Sequence, residues 1–164
     1  MITHMPSGLR ILIASPLGDV IAAPLNAVFD GASITVARDE TEFRTSIAAR
    51  VRFDVVSADL VFNRAELEWT FDGLDVIDGL RDANRLAPVL LATQGHSMEE
   101  DHLAEARLRD DVSGVVAKAD GFATFADSLQ AVALGRTIGK QTPAPVRPSL
   151  FELFEGRRGT TTAG

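Results

Sequence analysis

The sequence contains no cysteine, which excludes a disulfide framework and any thiolate-held metal and suits a reducing compartment. It has no uninterrupted apolar run near the ~20 residues that a membrane-spanning helix requires, and no secretory apolar region at its start. The expectation is a cytoplasmic protein with no membrane partner. Positive charge is also short: 16 Lys and Arg against 23 Asp and Glu leave a formal net charge of -7. Such a chain repels a phosphate backbone, so DNA contact is expected only through a domain beyond these residues. There is no glycine-rich phosphate loop, no nucleophile elbow and no cluster of metal-ligating residues. His96 and His102 lack the i, i+4 spacing of a metal pair and read as solvated side chains.

What is present is a core. Apolar residues make up 46% of the 164, enough for one compact domain. Short apolar, β-branched runs recur at Leu9 to Ala14, Ser33 to Ala37, Phe53 to Ala58, Pro88 to Ala92 and Val112 to Ala117, with helical patterns between them. That alternation predicts βαβ units, hence an α/β fold on a parallel sheet of five strands with about five helices. Ile11-Leu12-Ile13 and Val89-Leu90-Leu91 are continuously apolar, as expected where helices cover both faces of the sheet.

The helical segments differ in strength. In the last, Phe122, Phe125, Leu129 and Val132 share a face, and Gly135 stands where a left-handed cap belongs. In the second, Asp39 and Glu42 have capping-box spacing ahead of Phe43 and Ile47. The first carries Ile21, Leu25 and Val28 on one side, with Pro24 among them expected to kink or shorten it. The fourth, from about Met98 to Leu108, is mostly charged and should be weakly anchored. The acidic residues Asp72, Asp75 and Asp78 read as a solvated helix face, and Trp69 and Phe71 as loop anchors in the core. Residues 1–140 are expected to form the domain. Residues 141–164 are expected to be a proline-rich linker and a short segment in which Leu150, Leu153 and Phe154 make an apolar face, possible lead-in to an output domain not contained in this sequence.

In parallel α/β sheets reactive groups gather beyond the carboxyl ends of the strands. The chain puts Ser15-Pro16, Asp59, Thr93 and Lys118 there. Asp59 within Phe53–Leu60, Thr93 after Pro88–Ala92, and Lys118 after Gly114–Ala117, with the following Ser128–Arg136, together resemble a response-regulator receiver domain of the NarL/FixJ type. The resemblance runs from about Leu9 to Arg136. It implies a flavodoxin-like (βα)5 fold with strand order 2-1-3-4-5, with Asp59 at the phosphoacceptor position and Thr93 and Lys118 at the phosphate-contacting positions.

The chain departs from that family's pattern in the acidic pair ending the first strand, which helps hold magnesium. These positions are Ser15 and Pro16, so no cofactor is expected and Mg²⁺ affinity should be weak or absent, with Asp19 a weak candidate to compensate. The connection from Asn63 to Phe71 is longer than usual and is a candidate lid. Ala119 follows the lysine where many receivers have proline, and Val115 stands for the aromatic switch residue. The expectation is an atypical, non-enzymatic receiver that regulates transcription or a partner protein by association without phosphorylation. Its surfaces would be the fourth helix, fifth strand and fifth helix, or the first and fifth helices, toward a protein partner or a second copy. The alternatives are a conventional Asp-phosphorylated response regulator, separable by phosphotransfer assay, and a flavodoxin-like small-molecule-binding domain.

Overall fold

A computed structural model describes residues 8–62, 71–95 and 99–140. Five parallel strands, β1 (Arg10–Ala14), β2 (Ser33–Ala37), β3 (Val55–Asp59), β4 (Val89–Thr93) and β5 (Gly114–Ala117), form one sheet in the order β2-β1-β3-β4-β5. Helices α1 (Gly18–Val28), α2 (Glu40–Ala48), α3 (Gly73–Asp82), α4 (Glu100–Leu108) and α5 (Phe122–Ala133) alternate with them. The fold class and strand order are those expected from the sequence.

Side chains alternate across a strand with a period of two, so each strand feeds two cores. On one face Leu12, Val56, Ala58 and Leu91 pack with Phe43, Ile47, Leu74, Ile77 and Leu80 from α2 and α3. On the other, Ile11, Ile13, Val55, Leu90 and Val116 pack with Leu25 of α1, with Phe29 just beyond that helix, and with Phe125, Leu129 and Val132 of α5. Every residue of β3 is buried, which explains why its sequence shows a run rather than an alternation.

The helix termini follow from local chemistry. Asp39 accepts from the Glu42 amide at 2.9 Å, but the Glu42 carboxylate turns to the amide of Arg38, so only half of the expected capping box forms. The full box is instead at α3, where Asp72 accepts from Leu74 and Asp75 amides and Asp75 accepts from the Asp72 amide. The acidic cluster is therefore no mere solvated face: Asp78 also binds Arg81 and Arg109. His102, expected to be solvated, sets Nε2 3.1 Å from Asp72 Oδ2.

Helix α1 runs unbroken through Pro24. The proline removes one hydrogen bond, from the carbonyl of Val20, on a residue open to water. Leu25 is buried, but Val28 faces out rather than sharing its side. Gly135 adopts φ 93°, and the Arg136 amide donates to the Ala131 carbonyl at 2.9 Å, closing α5 as expected. The chain then returns along β5: the Val115 amide donates to Ile138 and the Ile138 amide to Ser113, covering that edge of the sheet. In α4 only Ala106 is buried and Leu108 is 85% exposed, as its composition implied. Phe71 is buried and meets Phe62 edge-on at 5.2 Å. Trp69, His96, the lid segment 63–70 and the segment 141–164 lie outside the described residues.

Candidate functional site

Parity and register assemble the site. Ala14 lies beside Ala58, so the next residues, Ser15 and Asp59, come together on the α1 and α5 side, two positions beyond Ile13 and Ser57. Asp59 pairs with Ala92, and Ala92 with Val116. Lys118, two residues past Val116, therefore shares that face at the start of a short 3-10 turn, Lys118–Asp120.

Asp59 is 3% exposed. The Ser15 hydroxyl donates to its Oδ2 at 2.7 Å and the Lys118 ammonium donates to the same oxygen at 2.9 Å. Ser15 Oγ in turn accepts from the Leu17 amide at 3.1 Å, which fixes the hydroxyl's rotamer and directs its proton to the carboxylate. Burial pushes the Asp59 carboxyl above the ordinary carboxylate range, and the Lys118 ammonium and the Ser15 hydroxyl pull it back only in part. Desolvation wins because the lysine end of the pair is open to water while the carboxylate is not.

Thr93 ends β4 and is buried, but among the described residues no hydrogen bond joins it to Asp59. Pro16 contributes no side-chain oxygen. Asp19, the candidate compensating carboxylate, is held by both its oxygens to Arg38, at 2.7 and 2.8 Å on the exposed side of α1.

A hard divalent cation asks for about six oxygens. The side-chain donor set here is one carboxylate, already accepting two hydrogen bonds, and the neutral hydroxyls of Ser15 and Ser57; no three acidic or histidine side chains gather at metal-binding range among the described residues. These residues do not fit a magnesium site.

Two participants were not recognised in the sequence. Ser57 lies two residues before Asp59 on the same face, a relation that period two alone could have revealed. Glu99 is buried and accepts from the Gln94 and Gly95 amides at 2.8 to 3.1 Å, fixing the β4–α4 turn. Its charge also opposes ionisation of Asp59. Nothing short of the folded turn marks it out among the acidic residues of that segment.

Neither a protein-family model nor a curated protein matches the chain. Solved structures do. A response regulator from Burkholderia pseudomallei, with a phosphorylated aspartic acid, a calcium ion and citrate, is 21% identical at TM-score 0.56, over 77% of this chain and 69% of its own. The receiver domain of a sensor histidine kinase from Pseudomonas aeruginosa, with magnesium coordinated in its active-site cleft, is 17% identical at TM-score 0.60, over 79% of this chain and 100% of its own. An adenylate cyclase from Rhodopirellula baltica is 17% identical at TM-score 0.63, over 90% of this chain and 98% of its own. At these identities the likeness establishes the fold, which is that of receiver domains.

Proposed function

We propose that this chain is an atypical receiver, a non-enzymatic regulatory module that works by association and does not depend on metal-assisted phosphorylation of Asp59. The observation that carries the reading is the convergence of Ser15 Oγ and Lys118 Nζ on one oxygen of Asp59. Phosphoryl transfer to a carboxylate brings anions together and relies on cations to offset them. In two solved structures of this fold a calcium or magnesium ion is present. Here the carboxylate is neutralised from within by lysine, and the positions that would add negative charge for a metal are Ser15 and Pro16. The pair rests in one state.

The partner is a protein or a second copy of the chain. The face of α4, β5 and α5 suits it best, because α4 is held by little buried surface and presents Leu108 to solvent. Transcriptional output would need a DNA-binding domain beyond these residues.

The test is incubation with acetyl phosphate and Mg²⁺, read by intact mass. No labelled species should accumulate, and amide NMR shifts should not move with Mg²⁺ up to about ten millimolar, a level that saturates sites of millimolar affinity. Stoichiometric, magnesium-dependent labelling of Asp59 would restore the conventional phosphorylated reading.

A further inference from the structure

The Asp59 site opens sideways into a cavity of about 490 Å³ between α1 and α5. That is within the roughly 300–1,000 Å³ of pockets that take small organic ligands. Val20 and Pro24 from α1 and Phe122 and Phe125 from α5 form its walls, and Ser57, Asp59 and Lys118 its polar floor. The walls are apolar and incompletely covered: Val20 is 71% exposed.

The floor carries unused polar capacity. Ser57 is 3% exposed and lines the cavity, where its hydroxyl can both donate and accept. Both side-chain hydrogen bonds to Asp59 fall on Oδ2, leaving Oδ1 without a side-chain donor among the described residues. The ionic charge on the floor is one carboxylate and one ammonium, which cancel. A charged head group would leave an uncompensated charge between apolar walls, whereas a neutral hydroxyl can both donate and accept.

We propose that this cavity binds a small neutral amphipathic molecule, with an apolar ring system between α1 and α5 and a hydroxyl against Ser57 and Asp59. Occupancy would tie the ring-bearing face of α5 to α1 through the ligand and so couple a small molecule to the regulatory surface.

The probe is 2-naphthol, which has a bicyclic apolar body and one hydroxyl and is neutral at pH 7, set against the charged 2-naphthoate. Binding to the full chain is followed by amide NMR titration and calorimetry. Saturable 2-naphthol binding is expected with Kd below about 1 mM, a modest demand for a ligand of this size. Shifts should be confined to the surroundings of Val20, Ser57 and Phe122, and 2-naphthoate should bind about tenfold more weakly. Ser57→Ala removes only the floor hydroxyl and should weaken 2-naphthol about fivefold, and Val20→Glu, at an exposed position, should weaken it more. No saturable binding at 1 mM, equal binding of 2-naphthoate, or an unchanged Kd in Ser57→Ala overturns the proposal. So does a concentration-dependent dimer that Val20→Glu abolishes and 2-naphthol leaves intact, since a second copy would then fill the cavity.

Discussion

Replacing Lys118 with methionine keeps most of the aliphatic stem and removes the charge that faces Asp59. Nζ lies 2.9 Å from Oδ2, where two unit charges at an effective dielectric of about 20 attract by roughly 6 kcal/mol. The net effect is smaller. The lysine side chain is 27% exposed and the Asp59 side chain 5%, so water screens one end of the pair and barely reaches the other. Orphaning a fully buried charge costs about 3–5 kcal/mol; with the screening, about 2 kcal/mol is expected at neutral pH. The sign with pH follows from the carboxyl. Burial already raises its folded value, so the folded state holds the proton more tightly than the unfolded chain. Protonation at acid pH therefore stabilises the fold, and that benefit is lost as pH rises through the folded value. Lys118→Met raises the folded value further. Its stability deficit should be full above that value and fade toward pH of about 4, where the unfolded carboxyl itself takes up a proton. Urea unfolding at intervals from pH 4 to 8, for wild type, Lys118→Met, Asp59→Asn and the double variant, measures it. The double variant should recover most of the loss. A deficit equal at every pH, or a double variant no more stable than Lys118→Met, would refute the ion-pair account.

Two further outcomes are expected. Ser15→Asp sets a second carboxylate against Asp59 where a hydroxyl now donates at 2.7 Å; repulsion should lower stability in EDTA by about 2–4 kcal/mol, and millimolar Mg²⁺ should return about half of it. Urea titrations with and without Mg²⁺ decide this, and insensitivity to the ion would mean that the pocket lacks more than charge. Gly73→Ala gains less than the roughly 1 kcal/mol of helix propensity found in helix interiors, because Gly73 is the first residue of α3, and its Cβ would lie 2.6 Å from the Asp59 carbonyl oxygen and 2.9 Å from Leu91 Cδ2. Overpacking against backbone should turn that gain into a net loss of about 1–2 kcal/mol in thermal unfolding.

The strands and the positions of Asp59, Thr93 and Lys118 at their ends were legible because parallel strands covered on both faces show themselves as apolar runs, and the sheet delivers whatever follows each run to one edge. Helix ends were less legible. Asp39 and Glu42 match a capping box by spacing, but Arg38 draws the Glu42 carboxylate both to its amide and to its guanidinium. The pair Asp72 and Asp75 forms the box with aspartate in place of glutamate. Val28 follows Leu25 by three residues, but the buried face of α1 runs from Leu25 to Phe29 four residues on, and Val28, to one side of it, points to water. The partners of Asp19 and Glu99 were illegible for another reason. They depend on which polar group lies nearest in space, and neither Arg38 nor the Gln94–Gly95 amides can be tied to those carboxylates by sequence spacing alone.

Charge balance links the site's missing oxygens to the cavity beside it. A receiver pocket with three carboxylates and a lysine is strongly anionic until a divalent cation enters; while empty it would repel phosphate, and seating an apolar ligand there would strip water from uncompensated charges. With Ser15 and Pro16 at the end of β1, the single carboxylate is matched by the single ammonium, and the side chains that line the adjoining space are largely hydrocarbon. Removing the metal's ligands therefore lowers the cost of placing an uncharged molecule next to Asp59, because no ion has to be desolvated or displaced to admit it. On the proposed reading, weaker metal binding and access for an uncharged molecule both follow from Ser15 and Pro16. The Ser15→Asp variant joins them experimentally: the carboxylate that should confer a response to Mg²⁺ should also weaken 2-naphthol in the absence of the ion, and a variant that gained the first without losing the second would separate the cavity from the charge state of Asp59.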